Sequence, residues 1–245
     1  MTRVGSRAKK AYFFTEQGIV CLGTGITCLE PERVLTTLNQ CRLNSEVSVL
    51  RGGKVGILEG GHIEAPDIQA VLHDSVAYIL LGGASLIVQA RQQTGSWSLV
   101  EASASTSPVP ENVFTCSIDH GAKPDSASYA YRLVPEASSA DLPALAENAS
   151  VKVLANNPEL QAVQNSPDGL TQVIFHTPGT LDLPEGGRLS VDTACAIQLR
   201  AAGDTTTLTV AEPTQELPQL TLTLDWPGRI LPACRKGHAN RRRPS

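Results

Sequence analysis

The chain alternates between apolar and polar residues with a period of two, and turn residues interrupt the alternation roughly every eight to twelve positions. In the stretch "LTLTLDW" one face carries Leu220, Leu222, Leu224 and Trp226, while the other carries threonine and aspartate. Side chains of a β-strand point alternately to its two faces, so this pattern predicts strands that bury one face. Many short strands at this spacing are typical of an all-β sandwich.

Two further segments, residues 18–26 and 76–81, are apolar at nearly every position. Strands that are apolar on both faces are expected between two covering layers, so we place both segments in the interior. Residues 205–210 and 220–226 are predicted to form an antiparallel pair near a sheet edge, because the connection between them is rich in proline and glutamate.

Helical periodicity is scarce, and the best candidate is the segment at residues 141–150. Asp141 is expected to be its N-cap, since the residues that follow place apolar side chains on one helical face. We interpret this segment as a connector between two β units. The predicted division is a first unit at 9–137, the connector at 138–150, a second unit at 151–226 and a disordered basic tail at 227–245.

The composition is that of a soluble globular protein, with 41% hydrophobic and 18% charged residues. No apolar run approaches the ~18 residues that a membrane helix requires, and the basic start lacks the apolar core of a signal peptide. The net charge is −4, and because the tail holds six cations and no acid, the remaining residues carry about −10. A basic tail can bind nucleic acid, but without interleaved aromatic residues we expect neither a nucleic-acid partner nor a membrane.

The six cysteines offer little support for a metal site. Cys116 with His120, and Cys234 with His238, each show the spacing of half a zinc site. A structural zinc site needs four ligands, and these two halves fall in a strand end and a loose tail. We therefore expect no metal and no cofactor. The even number of cysteines permits disulfides, although the spacing does not identify any.

Two places join an acid to a histidine, Asp119–His120 and His73–Asp74. Neighbouring side chains in a regular strand point to opposite faces, so neither pair can act as an acid–base dyad without a bulge. The interpretation that we favour is structural, with His120 closing a strand at 113–120 before Gly121 turns the chain. His62 is expected to be exposed in a loop. The sequence contains none of the common nucleophile, zinc-protease or phosphate-loop motifs.

Two aromatic groups are candidates for contacts with sugars. Tyr129 and Tyr131 share one face of a predicted strand, where packing across the sheet is the favoured interpretation and stacking on sugars the alternative. Trp97 lies near a turn in "TGSWSLV" and is the candidate that we retain as an exposed carbohydrate contact.

Several segments in order resemble the β domains of polysaccharide lyase family 8, which includes hyaluronate, chondroitin AC and xanthan lyases. They are "KKAYFFTEQGIVCLGTGITC", "VLTTLNQCRL", "HDSVAYILL" and "IDHGAKPDSASYAYRLVP", followed by a stretch from "ASVKVLANNPELQAVQ" through "AEPTQ". The resemblance covers about residues 9–226. It implies an all-β fold, with a large antiparallel β-sandwich that is part of a super-sandwich, followed by a smaller C-terminal β-sandwich domain.

The resemblance also implies a parent enzyme that cleaves uronate-containing polysaccharides of the hyaluronan, chondroitin or xanthan type by β-elimination. In that family the catalytic Asn, His, Tyr and Arg lie on an α/α-toroid that precedes the sandwich. The chain shows no long helical repeats, so no catalytic residue is assigned and the isolated chain is expected to be inactive. His73 and His120 match β-domain positions of the family and not its catalytic histidine.

The implied partners are an acidic polysaccharide, bound through the parent enzyme, and an α/α-toroid supplied in trans. The parent is expected to be extracellular or periplasmic, although this chain shows no signal peptide. The alternative from another class is a stand-alone carbohydrate-binding or adhesion module.

Overall fold

The computed structural model describes residues 5–202, 205–217 and 219–226. The predicted tail at 227–245, with Cys234 and His238, lies outside these residues. The strands are β1 (Arg7–Thr15), β2 (Gly18–Thr27), β3 (Arg33–Arg42), β4 (Ser48–Arg51), β5 (Lys54–Ile57), β6 (His62–Ala65), β7 (Ile68–His73), β8 (Val76–Leu80), β9 (Ser85–Gly95), β10 (Val109–Ala122), β11 (Ala127–Val134), β12 (Val151–Asn156), β13 (Leu160–Asn165), β14 (Leu170–Phe175), β15 (Gly179–Asp182), β16 (Arg188–Val191), β17 (Cys195–Ala202), β18 (Thr205–Ala211) and β19 (Leu222–Asp225).

All strand pairs in the described residues are antiparallel, and they form four sheets. Sheet A has the order β1-β2-β11-β8-β7-β4-β5, and sheet B has the order β3-β10-β9-β6. Sheet C is β12-β13-β14-β17-β18, and sheet D is β15-β16-β19. The predicted all-β fold, a large sandwich followed by a smaller one, is confirmed.

Sheet A is the central layer of the molecule and is covered on both of its faces. Its inner face packs against sheet B through a core that includes Cys21, Tyr78 and Phe114. Its outer face carries Val20 and Leu22, which pack against side chains of sheet C. The segments predicted to be apolar on both faces, β2 and β8, both lie in this layer, and their central residues are buried. That prediction is confirmed.

The connector contains one α-helix, α1 (Leu142–Glu147), which covers part of the outer face of sheet A. Asp141 is the N-cap residue of α1, as predicted, although its side chain makes no capping bond to the helix. The carboxylate instead accepts hydrogen bonds from the backbone N–H and hydroxyl of Ser138, at 2.8 and 2.6 Å, and closes the turn before the helix. The sequence-based domain boundaries at 137 and 150 stay predictions.

Arg132 is fully buried beneath this connector, on the outer face of sheet A. Its guanidinium donates a hydrogen bond of 2.9 Å to the backbone carbonyl of Leu145, in the last turn of α1. Burial lowers the pKa of Arg132 below its ordinary value. A cation near the C-terminal carbonyls of a helix opposes the negative end of its dipole, so Arg132 fixes α1 to the sheet.

The second unit encloses its own core between sheets C and D. Leu222, Leu224 and Trp226 face this core, which confirms the predicted alternation of the last strand. The predicted pairing of residues 205–210 with 220–226 is wrong, because β18 pairs with β17 in sheet C while β19 pairs with β16 in sheet D. The long connection between the two strands spans from one sheet to the other, although each strand does lie at a sheet edge.

The two units are joined by a polar contact at an irregular point of sheet A. The register between β2 and β11 shifts near Tyr129, whose ring packs over Gly23 so closely that a Cβ there would lie 2.1 Å from it. Asn156 of β12 donates hydrogen bonds to the carbonyls of Gly23 and Tyr129, at 3.2 and 3.0 Å. Gln161 in turn donates to the Asn156 side-chain oxygen at 2.9 Å. Sheet C thus satisfies backbone carbonyls of sheet A.

No helix among the described residues is long and apolar enough to span a bilayer.

Asn156→Ala is expected to lower the free energy of unfolding by about 1–3 kcal/mol, because two carbonyls in the joint lose their amide donor. Urea denaturation followed by far-ultraviolet circular dichroism measures this change. Asn44→Ala is the control, since Asn44 is exposed and its amide donates to Asp74 at the surface. Equal stability of the two variants would contradict the assigned role of Asn156.

Candidate functional site

Asp119 and His120 lie near the end of β10, where the pairing with β3 is interrupted by an irregularity between Asp119 and Ala122. The strand extends over Val109–Ala122, beyond the predicted limits of 113–120. His120 Nε2 lies 2.8 Å from the Thr36 hydroxyl. Asp119 instead contacts Arg33 and the backbone N–H of Gly121, the latter at 2.9 Å. The two side chains therefore have separate partners, as the structural interpretation predicts.

Arg33 joins two carboxylates on the outer face of sheet B. Its guanidinium forms ion pairs with Asp119 and Glu64. Hydrogen bonding from Arg33 lowers the pKa of Asp119 below its ordinary value. A carboxylate with a lowered pKa is a weak proton acceptor, so Asp119 is poorly suited to act as a general base.

His73 ends β7 and is buried between the two sheets of the first unit. Its ring stacks on Phe114 with 4.3 Å between centroids, and its Nδ1 lies 3.7 Å from the Cys41 sulfur. Asn39 donates a hydrogen bond to the Tyr78 hydroxyl at 2.6 Å and lies 3.4 Å from the same sulfur. This cluster of Asn39, Cys41, His73 and Tyr78 bridges sheets A and B.

Burial favours the neutral form of every titratable group in this cluster. Desolvation lowers the pKa of His73 and raises the pKa of the Cys41 thiol. The pKa of Tyr78 is raised to about 12, mainly by burial. A nucleophilic cysteine needs a stabilised thiolate beside a cation, whereas these shifts favour the thiol and the neutral imidazole. The cluster therefore stabilises the packing of sheet A against sheet B.

Tyr129 and Tyr131 are both buried in the core of the first unit, with 5.8 Å between ring centroids. Burial raises the pKa of each phenol above its ordinary value. Packing across the sheet, the favoured prediction, is confirmed. His62 is exposed as predicted, but it begins β6 and is not in a loop.

Trp97 lies in the connection between β9 and β10, just past the point where Gly95 pairs with Val109. Its side chain is 63% exposed, and Leu99 and Val100 beside it are more exposed still. The ends of β9 and β10 pair with each other beyond their partners β6 and β3. Trp97 therefore stands at the tip of a two-stranded arm.

A second exposed aromatic surface lies on β1, at the edge of sheet A. Tyr12 and Phe14 are 56% and 66% exposed, whereas Ala11 and Phe13 on the opposite face are buried against sheet C. Tyr12 pairs with Cys21 and Phe14 with Ile19, which places both rings on the inner face of the sheet. The sequence analysis did not identify this surface, although the four consecutive apolar residues of "AYFF" indicate a strand with two apolar faces.

The described part of the chain offers few groups that are suited to binding a metal ion. Cys116 is completely buried, and burial raises its pKa to about 12. Cys21, Cys28, Cys41, Cys116 and Cys195 are free thiols. Within the described ranges, no three side chains of His, Cys, Asp or Glu lie together in a way that would hold a metal ion.

The arrangement of sheets and the paired sandwiches match a known family along most of the chain. Residues 3–146 match the model of the polysaccharide lyase family 8 super-sandwich domain, and residues 152–221 match that of its C-terminal β-sandwich domain. The chain therefore belongs to polysaccharide lyase family 8.

Three curated relatives carry lyase names. Chondroitinase-AC of Pedobacter heparinus is 34% identical over 210 residues, covering 86% of this chain and 30% of the relative. Hyaluronate lyase of Thermasporomyces composti is 29% identical over 226 residues, covering 90% and 28%. Xanthan lyase of Bacillus sp. strain GL1 is 28% identical over 157 residues, covering 59% and 17%. This chain thus spans less than a third of the length of these relatives.

Solved structures agree with the same relationship. A chondroitinase AC lyase studied with oligosaccharides superposes with a TM-score of 0.82 at 32% identity, covering 91% of this chain and 33% of that one. The Streptomyces coelicolor A3 chondroitin AC lyase, in complex with chondroitin sulphate, gives a TM-score of 0.71 at 28% identity, with coverages of 90% and 27%.

The unfolding free energy is expected to fall as the pH decreases below about 6.5, because His73, His120 and His176 have lowered pKa values in the folded chain. The unfolded chain then binds protons that the folded chain does not. Each such group contributes at most about 1.4 kcal/mol per pH unit. Urea unfolding at a series of pH values measures the slope.

His73→Phe is expected to reduce this slope, since it removes one of the buried imidazoles and keeps an aromatic ring against Phe114. His62→Gln is the matched control, because His62 is exposed and the substitution leaves the buried imidazoles in place. An unchanged slope in His73→Phe would contradict the assignment of His73 as a neutral core residue.

Proposed function

We propose that this chain is the β-domain portion of a lyase that cleaves uronate-containing polysaccharides by β-elimination, and that it has no lyase activity by itself. Its membership of polysaccharide lyase family 8 carries the proposal. The catalytic groups are assigned to an α/α-toroid of the parent enzyme, whether linked to this chain or supplied in trans. The proposed substrate class is an acidic polysaccharide of the hyaluronan, chondroitin or xanthan type.

The chemistry of β-elimination supports the proposed lack of lyase activity in the isolated chain. A base must remove the proton at C5 of the uronate, a cation or amide must offset the charge of its carboxylate, and an acid must protonate the leaving oxygen. These groups must converge on one accessible site. In the described residues, His73 is buried, His120 is held by Thr36, and His176 lies in the second unit beside Gln161. Among the described residues, these three histidines do not converge on one accessible site.

The charge of the chain also favours a scaffold over a tight binder of polyanions. The residues before the basic tail carry about −10, and like charges repel at long range. We assign the parent to the extracellular or periplasmic space, where large acidic polysaccharides are accessible to an enzyme.

The purified chain is expected to release no unsaturated uronate from hyaluronan, chondroitin or xanthan. The double bond formed by β-elimination absorbs in the ultraviolet, so the absorbance of the reaction mixture measures it directly. Chondroitinase-AC of Pedobacter heparinus serves as the positive control on chondroitin. Sustained product formation by this chain, above that of a heat-denatured sample, would overturn the proposal.

The second candidate function is carbohydrate binding at the tip of the β9–β10 arm, favoured by the exposed Trp97. Aromatic rings stack on sugar faces, and a protruding arm can reach a long polymer. On this alternative, affinity electrophoresis shows retardation of the chain by an acidic glycan. Trp97→Ala is then expected to abolish the retardation, while Leu99→Ala, an exposed aliphatic neighbour, preserves it. Equal retardation of the two variants, or no retardation of the unsubstituted chain, would reject this candidate.

A further inference from the structure

The β4–β5 hairpin ends sheet A on the side away from β1. β5 is the terminal strand of the sheet among the described residues, and every residue of Lys54–Ile57 is exposed. Gly52 and Gly53 join β4 to β5, and both have a positive φ, as a two-residue hairpin turn of type I′ requires. The hairpin therefore presents an extended strand with one uncovered backbone edge.

The register of the hairpin determines which backbone groups lie on that edge. In a two-residue hairpin, the residues that flank the turn form a hydrogen-bonded pair. Bonded and non-bonded pairs alternate along an antiparallel ladder, so the N–H and C=O groups of Val55 and Ile57 point away from β4. The hydrogen bond from the Leu58 N–H to the Val47 carbonyl, at 2.8 Å, continues the same alternation. Within the described ranges, no strand pairs with β5 on that edge.

We propose that this edge is a self-association surface, to which β5 of a second copy of the chain adds in antiparallel orientation. A two-fold axis at Gly56 relates the two copies, so that Val55 of each copy lies opposite the partner's Ile57. Each of these pairs exchanges both of its backbone N–H···O bonds, and the two seven-stranded sheets become one continuous sheet. The inference is independent of the proposed function.

Apolar side chains on the outer face of sheet A support a second copy as the partner. Val55 and Ile57 are 38% and 57% exposed. Val55 pairs with Leu50, whose side chain packs with Leu142 of α1, so Val55 and Ile57 lie on the face that α1 covers. The two-fold arrangement places each of these side chains against its counterpart in the partner, which removes apolar surface from water in both copies.

Charge also favours the antiparallel pairing of this strand with itself. The segment from Lys54 to Glu59 begins with a cation and ends with a carboxylate, and both residues are exposed. An antiparallel partner places the cationic end of each segment beside the acidic end of the other. Lys54 then lies opposite the partner's Leu58, and Glu59 lies level with the partner's Gly53, so that like charges do not face each other.

Gly56, at the centre of the proposed contact, has no steric role inside its own chain. A Cβ at this position would meet nothing within 4 Å, and its φ is not in the left-handed region. Glycine weakens the interior of a strand, and it often marks a place where another backbone approaches closely. In the dimer Gly56 faces the partner's Gly56 as a non-hydrogen-bonded pair, in which the Cα atoms are about 4.5 Å apart. The glycine thus lies where the two backbones come closest.

Sedimentation equilibrium of the full chain over a series of concentrations measures the association. Because β5 has only four residues, we expect a weak, reversible equilibrium between monomer and dimer. Residue-resolved amide hydrogen exchange at the same concentrations is expected to slow at Val55 and Ile57, whose N–H groups point to the partner. A chain that stays monomeric throughout, or a dimer that leaves both amides unprotected, would overturn the proposal. A monomer whose two amides become protected only when chondroitin sulfate is added would overturn it as well, and would assign the edge to a glycan.

The double variant Val55→Lys/Ile57→Lys is expected to weaken dimerisation by about tenfold or more, because like charges then face each other across the two-fold axis. Both positions are exposed, and circular dichroism verifies that the variant folds. Tyr12→Lys/Phe14→Lys is the matched control, with the same charge change at exposed positions on the opposite edge of sheet A. Equal effects of the two variants, or dissociation by the β1 variant alone, would contradict the assignment of β5.

A cysteine placed on the two-fold axis tests the register of the pairing. Gly56→Cys is expected to form a disulfide-linked dimer in a glutathione redox buffer, since the paired Cα atoms are about 4.5 Å apart. The two thiols are oxidised while glutathione disulfide is reduced to glutathione. Lys54→Cys is the matched control, because the Cα atoms of residue 54 in the two copies are about 14 Å apart in this register.

Non-reducing gel electrophoresis measures the linked fraction, and the unsubstituted chain gives the background from its own cysteines. The expected result is cross-linking of Gly56→Cys well above that of Lys54→Cys. Equal cross-linking of the two variants, or none above the background in either, would rule out the proposed pairing.

Discussion

The burial of sheet A on both faces is the constraint on which the other features of the molecule depend. β2 and β8 are apolar on their two faces, so each face requires a covering layer. Sheet B covers the inner face, while α1 and sheet C cover the outer one. The second unit is therefore part of the core of the first, and Asn156 adds hydrogen bonds to the same joint.

Polar groups that resemble catalytic ones are used to maintain this layered structure. Asp119 pairs with Arg33, His120 contacts Thr36, and His73 stacks on Phe114. Each has a structural partner, and the pKa shifts of both histidines favour the uncharged imidazole. These residues thus stabilise the fold of polysaccharide lyase family 8, whereas the rings of Trp97, Tyr12 and Phe14 are exposed.

Local pattern predicted several of the strands, among them β2, β8 and β10, because alternation and apolar runs depend on neighbouring residues alone. It failed where a choice depended on distant partners. The strands at 205–210 and 220–226 were expected to pair, but each finds its partner in a different sheet. It did place Asp141 correctly at the N-cap of α1, but it did not predict that the carboxylate accepts two hydrogen bonds from Ser138 in the preceding turn.

The same limit applies to the candidate site. Geometry within a single strand was enough to predict that Asp119 and His120 do not form an acid–base dyad. It also predicted the packing of Tyr129 with Tyr131. The exposure of Tyr12 and Phe14 was beyond such reasoning, since it depends on where sheet B ends and not on the sequence of β1.

Native-state amide hydrogen exchange in increasing urea tests most directly whether the second unit completes the core of the first. The comparison is between Val20 and Leu22 in β2 and Val163 in β13, which meet in the joint. The account predicts that all three amides exchange through one opening, with the same free energy and the same urea dependence. Exchange of Val163 through an opening that leaves the β2 amides protected would contradict it.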